Sequence, residues 1–242
     1  MRFDIFKNTN VFITGATGGL GREICALLVR YGCNLFMTST SEDKLIHLKN
    51  SLLNNNEDSE IYFGTGRLEN TEDVFNLCEQ VKQKFDNKID IIINCAGIFP
   101  LQSLSDTALH DYERCMNINV RAPFLFSQQL THGMRQRKWG RIVNIGSSSS
   151  YNGSPDAGIY CISKHALLGL SRSLFQELKK DNVRVYSYSP GSIRTEMGST
   201  DKRQDYSTFL DPQEVAEYIL FMMSYNSELI SEEVRVNRMV VQ

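Results

Sequence analysis

A tyrosine and a lysine lie four residues apart in a segment with a helical pattern, and such a pair can exchange a proton. Tyr160 and Lys164 fall within a predicted helix, 157–180, so their side chains share one face about one turn apart. A free tyrosine has a pKa of about 10, and proton exchange near neutrality favours a pKa about three units lower, which corresponds to about 4 kcal/mol. An ammonium about 4 Å away supplies a Coulomb energy of that order at an effective dielectric constant of about 20. The pair is a candidate acid, although its spacing is also common on ordinary amphipathic helices.

The composition indicates one compact domain without a nucleic-acid or membrane partner. The chain has 242 residues, a formal net charge of -2 and 41% hydrophobic residues, enough for a core of its own. Its charges are spread over both halves, without a basic bias toward nucleic acid. The longest apolar run, 89–99, is far shorter than the roughly 20 residues of a membrane span, and the N-terminal segment has no signal-peptide pattern.

The cysteine pattern argues against disulfides and against a metal site. Six cysteines lie far apart with no C-x-x-C pair, and the chain has only four histidines. Widely spaced cysteines of this kind are typical of reduced thiols in a cytosolic protein. We therefore expect a cytoplasmic protein that binds no metal.

Short β-rich runs alternate with helix-length segments along the chain. The strand candidates are 11–14, 35–39, 61–64, 89–94, 141–147, 183–189 and 233–241. Nearly continuous apolar runs, such as Ile-Asp-Ile-Ile-Ile at 89–93, indicate strands buried on both faces between right-handed helical crossovers. The polar piece 54–60 is a predicted turn that is too short for a linker. The sequence therefore predicts an α/β fold: one domain, residues 1–242, with a doubly wound parallel sheet of about seven strands and helices on both faces.

The first strand candidate runs into a glycine-rich turn and then into a helix. Gly15, Gly19 and Gly21 have the spacing G-x-x-x-G-x-G, with Gly18 inside the first gap. Glycines permit positive φ and close backbone approach, and a helix start offers free N–H groups and a positive dipole to a pyrophosphate. The spacing differs from the G-x-G-x-x-G fingerprint, and any tight strand-to-helix junction can use glycines. The position of this glycine turn in the first βα unit favours a dinucleotide site.

Six motifs occur in the order known from one protein family. They are TGATGGLG (14–21), NCAG (94–97), INVRAPF (118–124), GRIVNIGS (140–147), YCISK (160–164) and PGSIRTEM (190–197). With these motifs, the chain resembles the classical short-chain dehydrogenases/reductases over roughly residues 8–225, including a serine, Ser147, thirteen residues before Tyr160. Within the family it looks most like bacterial 3-oxoacyl-[acyl-carrier-protein] reductases. The resemblance implies a Rossmann-type fold, oxidoreductase activity and assembly into a homo-oligomer, either a dimer or a tetramer.

The resemblance also implies roles for four side chains. Tyr160 is the expected general acid/base, and Lys164 is expected to lower the Tyr160 pKa and to hold the nicotinamide ribose. Ser147 is expected to hydrogen-bond the substrate oxygen, and Asn119 to complete a proton relay through water to Lys164. These residue types suit hydride transfer to a carbonyl carbon, because one hydroxyl meets the developing alkoxide and another protonates it. Ser147 could instead begin a polar loop, and Asn119 could be an ordinary mid-helix amide.

A nicotinamide dinucleotide site follows from the same resemblance. The segment after the fourth strand is expected along the adenosine ribose, and the segment after the sixth strand is expected over the nicotinamide, near its carboxamide. The Pro-Gly pair at 190–191 could also be only a strand-ending turn. The expected dinucleotide-binding residues are Gly15, Thr17, Gly19, Leu20, Gly21, Ser39, Thr40, Asn94, Ala96, Gly97, Tyr160, Lys164, Pro190, Gly191, Ile193 and Thr195.

The residues after the second strand bear on the choice between NADP and NAD. The sequence Met-Thr-Ser-Thr-Ser at 37–41 contains no carboxylate at the point where an NAD-selective site would bind the ribose 2′-hydroxyl. The hydroxyls of Ser39, Thr40 and Ser41 could bind a 2′-phosphate, although one of them could cap the next helix. We predict NADP(H). Many similar NADP enzymes carry an arginine at positions that Gly18 and Thr40 occupy here, so NAD(H) stays open.

Three functions are compatible with the sequence. The leading one is an NADP(H)-dependent reductase whose substrate is a small carbonyl compound or a 3-oxoacyl thioester, with Tyr160 as the proton donor. An NAD-dependent alcohol dehydrogenase would use the same groups in reverse. A dinucleotide-sensing regulatory protein would share the fold without turnover, but it would not need Ser147, Lys164 and Asn119 around the tyrosine.

Overall fold

Seven parallel strands form the centre of the molecule. The computed structural model describes residues 2–53 and 59–239, and within them the strands lie in the order β3-β2-β1-β4-β5-β6-β7. The predicted doubly wound parallel sheet is therefore confirmed. The strand order reverses between β1 and β4, and in such sheets the reversal opens a crevice at the carboxyl ends of the strands. The strands are β1 Asn10–Thr14, β2 Asn34–Ser39, β3 Ile61–Thr65, β4 Ile91–Asn94, β5 Gly140–Ile145, β6 Val183–Pro190 and β7 Glu233–Val236.

Helices cover both faces of this sheet. They are α1 Gly19–Arg30, α2 Glu42–Leu53, α3 Thr71–Lys84, α4 Leu109–Met116, α5 Ala122–Leu130, α6 His132–Arg137, α7 Gly158–Leu178 and α8 Pro212–Met223. One apolar layer packs α1, α2 and α8 against the sheet, and the other packs α3, α5 and the C-terminal end of α7 against its opposite face. The two layers hold the strands that carry the site between them.

Strand β4 shows why the sheet is buried on both faces. Ile91, Ile92 and Ile93 are all 0% exposed. Successive side chains of a strand point to opposite faces, so Ile91 and Ile93 enter one apolar layer and Ile92 enters the other. A continuous apolar run is therefore what this central position requires, as predicted.

Several predicted element boundaries were wrong by a few residues. The fourth strand begins at Ile91 rather than at residue 89, the helix predicted at 157–180 is Gly158–Leu178, and the last strand ends at Val236 rather than at 241. The fifth strand ends at Ile145, because Ser147 caps a short turn, Ser148–Ser150, and leaves the sheet. Residues 54–58 of the predicted turn, and residues 240–241 of the predicted last strand, lie outside the described residues.

Across residues 2–53 and 59–239, none of the helices combines the length and the apolar character needed to cross a bilayer. In the same part of the chain, no group of three or more His, Cys, Asp or Glu side chains is arranged to hold a metal ion. All six cysteines fall in these ranges, and each is a free thiol.

Candidate active site

The carboxyl ends of the central strands open into a cleft with a volume of about 1190 Å³. The glycine turn before α1 forms one end of its wall, and the start of α7 contributes Tyr160 and Lys164. The turn after β5 contributes Ser147. The three residues with the most specific predicted roles therefore lie in one cavity, at the switch in strand order where ligands bind in folds of this kind.

Tyr160 and Lys164 project from the same face of α7, as their spacing predicted. Their side chains are largely buried, with Tyr160 at 9% and Lys164 at 5% exposure. The Lys164 Nζ lies 5.6 Å from the centroid of the Tyr160 ring and donates a hydrogen bond of 2.7 Å to the Ile145 carbonyl. The ring of Phe99 packs edge-on against Tyr160, with 4.7 Å between centroids. The amine therefore points into the protein rather than to solvent.

Ser147 is held by the turn that follows β5. Its Oγ accepts a hydrogen bond from the Ser149 N–H at 3.1 Å, and its own N–H donates to the Ser150 Oγ at 3.2 Å. Because the Oγ already accepts from the backbone, its O–H is left to donate toward the cleft. Its hydrogen bonding to Tyr160 favours the phenolate form. The turn thus fixes a hydroxyl donor beside the candidate acid.

Burial controls the protonation of the tyrosine–lysine pair. Burial raises the pKa of Tyr160 to about 12, and hydrogen bonding from Ser147 lowers it only in part. Burial also lowers the pKa of Lys164 to about 8. The shift of the Tyr160 pKa in this arrangement comes from burial and from Ser147, and the expected lowering of that pKa by Lys164 stays a prediction. The phenol therefore stays protonated at neutral pH.

The Ile145 carbonyl was missed by the sequence analysis. It is the hydrogen-bond partner that orients the Lys164 amine, and it lies at the last residue of β5. A backbone carbonyl has no side-chain signature, and its availability depends on where the strand ends. Only the end of β5 at Ile145, rather than at 147 as predicted, reveals this contact.

Asn119 lies in a π-helical turn, Asn117–Arg121, between α4 and α5. It is 1% exposed. Its Oδ1 accepts from the Ile98 N–H at 2.9 Å, and its Nδ2 donates to the Ile98 carbonyl at 3.0 Å and to the Ser163 Oγ at 2.9 Å. Such π turns are frequent at functional sites. The side chain fastens the segment after β4 to α7, and its role in a water relay stays a prediction.

The glycine turn fits the pyrophosphate of a dinucleotide. Gly15 has a φ of +66°, and a Cβ there would lie 2.8 Å from the backbone N and Cα of Ala96. Helix α1 begins at Gly19, and the N-cap Gly18 makes no side-chain hydrogen bond, so the N–H groups of the first turn are available to an anion. Among the predicted residues of this turn, those that line the cleft are Gly15, Thr17, Gly19, Leu20 and Gly21.

The segment after β6 forms another part of the wall. Pro190, Gly191, Ile193 and Thr195 all line the cleft. The segment reaches the glycine turn, because a Cβ on Gly19 would lie 2.5 Å from the Thr195 Cγ2. The turn and this segment therefore meet over the space where the dinucleotide is expected.

The three hydroxyls after β2 differ in their hydrogen bonding. The Ser39 Oγ accepts from the Ser41 N–H at 3.1 Å, and the Ser41 Oγ accepts from the Lys44 N–H at 3.4 Å. Both serines thus support the start of α2, the alternative that the sequence left open. Thr40 is exposed, and its hydroxyl makes no hydrogen bond with any residue that the structure describes. The Ser39 and Ser41 O–H groups can still donate, whereas the whole Thr40 hydroxyl is left to a ligand.

The segment after β4 is divided between the core and the cleft. Asn94 is 2% exposed, and its Nδ2 donates to the Asn144 Oδ1 at 2.7 Å. Gly97 lines the cleft, and a Cβ there would lie 3.7 Å from the Lys164 Nζ. The predicted residues that do not line the cleft are Ser39, Thr40, Asn94, Ala96 and Asn119.

Sequence comparisons relate most of the chain to short-chain dehydrogenases and reductases. The model of the short chain dehydrogenase family matches residues 9–206. A 3-oxoacyl-[acyl-carrier-protein] reductase of Rickettsia felis is 31% identical over 242 residues, with 93% of each chain covered. The enzyme of the same name from Aquifex aeolicus is 31% identical over 231 residues, with 92% of each chain covered.

Structural comparisons agree on the fold. Levodione reductase has a TM-score of 0.87 at 22% identity, with 96% of each chain covered. A metagenomic short-chain oxidoreductase in complex with NADP has a TM-score of 0.84 at 22% identity, covering 97% of this chain and 99% of the other. The family match spans β1 to the segment beyond β6 and includes the tyrosine, lysine and serine of the cleft. The protein therefore belongs to the short-chain dehydrogenase family.

Proposed function

We propose that the protein is an NADP(H)-dependent carbonyl reductase in which Tyr160 is the general acid. The observation that carries this proposal is the convergence of the Ser147 hydroxyl, the Tyr160 phenol and the Lys164 amine in a cleft with a glycine turn. Family membership supports hydride transfer as the reaction class, and the absence of a carboxylate after β2 supports NADP over NAD.

The protonation states suit reduction. When bound, the nicotinamide supplies the hydride. Ser147 donates a hydrogen bond to the carbonyl oxygen, and Tyr160 gives its proton to the alkoxide that forms there. A phenol with a pKa of about 12 is fully protonated at neutral pH. An alkoxide resembles hydroxide in basicity, with a conjugate acid of pKa about 15.7 for water, so this proton transfer is downhill.

We propose a 3-oxoacyl thioester, or another small carbonyl compound, as the substrate. The relatives from Rickettsia felis and Aquifex aeolicus carry the name 3-oxoacyl-[acyl-carrier-protein] reductase, which supports the thioester. The cleft lining includes the apolar Phe99, which packs against Tyr160, and the polar Ser149 and Asn152, a mixture compatible with a short polar acyl group.

Self-association is part of the same proposal. Exposed apolar side chains are present on three neighbouring helices: Tyr112 on α4, Phe124 on α5 and Ile162 on α7. Exposed apolar surface of this kind supports a homo-oligomer built from copies of this chain, and light scattering after size exclusion would distinguish a dimer from a tetramer.

The single domain over residues 1–242 and the cytoplasmic location remain predictions.

Turnover with a small panel of substrates tests the proposed reaction. The absorbance of NADPH is followed with an acetoacetyl thioester and with small diketones. We expect Tyr160→Phe to keep NADPH affinity and to lose reduction by a factor of about 10² to 10⁴, the usual contribution of a general acid. Tyr62→Phe is the matched control, because that hydroxyl donates to the exposed Glu60 and does not line the cleft.

The outcomes separate the three candidate functions. Substantial reduction by Tyr160→Phe would mean that another group donates the proton. Faster turnover of NAD with an alcohol than of NADPH with any carbonyl would favour the dehydrogenase. Tight NADPH binding without turnover of any carbonyl or alcohol would favour the sensor.

A further inference from the structure

We propose that Ser163 is a positioning residue that joins Asn119 to the helical turn carrying Tyr160 and Lys164. Ser163 is 0% exposed and lies on α7 directly before Lys164. Its Oγ donates to the Tyr160 carbonyl at 2.7 Å and accepts from the Asn119 Nδ2 at 2.9 Å. One buried hydroxyl thus contacts the backbone of the candidate acid and the amide of a predicted relay residue.

Asn119 continues this connection to the cofactor side of the cleft. Its amide makes two hydrogen bonds with the backbone of Ile98, at 2.9 Å to the N–H and 3.0 Å to the carbonyl. Ile98 directly follows Gly97, which lines the cleft next to the Lys164 amine. A continuous chain of hydrogen bonds therefore runs from the segment after β4 through Asn119 and Ser163 to the first turn of α7.

The chemistry makes this connection relevant to rate. The Tyr160 hydroxyl belongs to α7, whereas Gly97 belongs to the segment after β4. Proton and hydride transfer require a fixed distance and orientation between α7 and that segment. A misplacement of about 1 Å can lower a rate by about a hundredfold. The Asn119 Nδ2 has a further, weaker acceptor in the Cys115 Sγ at 3.5 Å on α4. Removing the Ser163 hydroxyl therefore breaks the hydrogen bond that joins Asn119 to α7, so the two parts can shift. The inference rests on the proposed reductase function.

Ser163→Ala tests the role against a matched control. Ser127→Ala removes a hydroxyl that is 1% exposed and donates to the Pro123 carbonyl at 2.8 Å on α5, with no contact to Asn119. We expect Ser163→Ala to lower kcat by about tenfold or more, with the KM for the carbonyl and the Kd of NADPH within about twofold of wild type. Ser127→Ala should lower the melting temperature similarly and leave kcat unchanged.

A double-mutant cycle tests whether Ser163 acts through Asn119. In an Asn119→Ala background, Ser163→Ala should change kcat by less than about twofold, because the connection is already broken. Independent, multiplicative losses in kcat would overturn the inference. A change in melting temperature alone, with wild-type kcat, would overturn it too and would leave the proposed function intact.

Hydrogen exchange provides a readout that does not depend on turnover. We expect Ser163→Ala to accelerate exchange of the Ile98 amide by about tenfold or more, because its acceptor Asn119 is no longer anchored to α7. Ser127→Ala should leave that amide at the wild-type rate. Should the wild type reduce no carbonyl, the proposed function fails, and exchange alone then decides whether Ser163 anchors this segment. An unchanged Ile98 rate overturns the inference.

Discussion

The charge of Lys164 changes close to physiological pH. Burial lowers the pKa of Lys164 to about 8, so the side chain is an ammonium below that pH and an amine above it. Both forms can donate to the Ile145 carbonyl at 2.7 Å. In the proposed reduction, only the ammonium would stabilise the phenolate that Tyr160 becomes after it gives up its proton. The residue should therefore impose an upper pH limit on reduction.

We expect kcat/KM for NADPH to fall as the pH rises through about 8, because this parameter reports ionisations of the free enzyme. Lys164→Arg should remove the inflection, since a guanidinium keeps its charge up to about pH 12. Initial rates from pH 6 to 10 provide the measurement. A wild-type profile that stays flat to pH 10, or the same inflection in Lys164→Arg, would exclude Lys164 as its source.

The contribution of Lys164 to the free energy of unfolding should increase with pH. Between about 8 and the ordinary value of 10.5, the unfolded lysine binds more protons than the folded one, so this group's contribution to stability rises with pH. The contribution is fully present above the unfolded pKa and is lost as the pH falls through the folded pKa. Urea titrations of wild type and Lys164→Met should show the difference in slope over this range, and equal slopes would contradict it.

Side-chain spacing on α7 predicted which two residues meet but not the direction of their pKa shifts. An interval of four residues fixes a shared helix face whatever surrounds it. The direction depends on burial, which raises the pKa of Tyr160 and lowers the pKa of Lys164 and which arises from packing of α7 against the end of β5. Long-range packing of this kind has no local sequence pattern.

At the scale of elements, the glycine turn and the π turn both depart from regular backbone geometry, and both carry residues of the candidate site. Gly15 adopts a left-handed φ of +66° directly beneath Ala96. The π turn carries Asn119 between α4 and α5. The first was predictable because glycine is the residue that tolerates this conformation. The second was not, because residues 117–121 have no composition that distinguishes a π turn from an α-helix.

We expect Gly15→Ala to lower both stability and dinucleotide affinity. An alanine there must adopt a positive φ, and its Cβ would lie 2.8 Å from the Ala96 backbone, so a loss of about 1–3 kcal/mol in the free energy of unfolding follows. Gly169→Ala on α7 is the control of opposite sign, because nothing lies within 4 Å of its Cβ position and the helix interior favours alanine by about 0.5–1 kcal/mol. Chemical denaturation and NADPH titration measure both effects. A Gly15→Ala protein with wild-type stability and affinity would contradict the close contact.

For the whole molecule, the alternation of strands and helices was sufficient to predict the sheet but not the composition of the cleft. Apolar runs such as that of β4 specify central parallel strands wherever they occur. By contrast, Thr40 and Ser39 are adjacent, yet one hydroxyl is exposed and the other supports the backbone at the start of α2. Which of two neighbouring hydroxyls is exposed is decided by the direction of the chain after β2, and composition alone does not specify that direction.

Cofactor preference should be visible as a shift in the unfolding transition of the whole molecule. A ligand at 100 times its Kd stabilises the folded state by about 2.7 kcal/mol, which corresponds to roughly 5–11 °C in melting temperature for a chain of this size. We expect a larger shift with NADPH than with equal NADH, because the position after β2 lacks a carboxylate and offers the Thr40 hydroxyl to a 2′-phosphate. Thr40→Ala should reduce the NADPH shift and leave the NADH shift unchanged, so NADH serves as the internal control. A larger shift with NADH, or equal loss of both shifts in Thr40→Ala, would reject Thr40 as the discriminating residue and favour the NAD-dependent alternative.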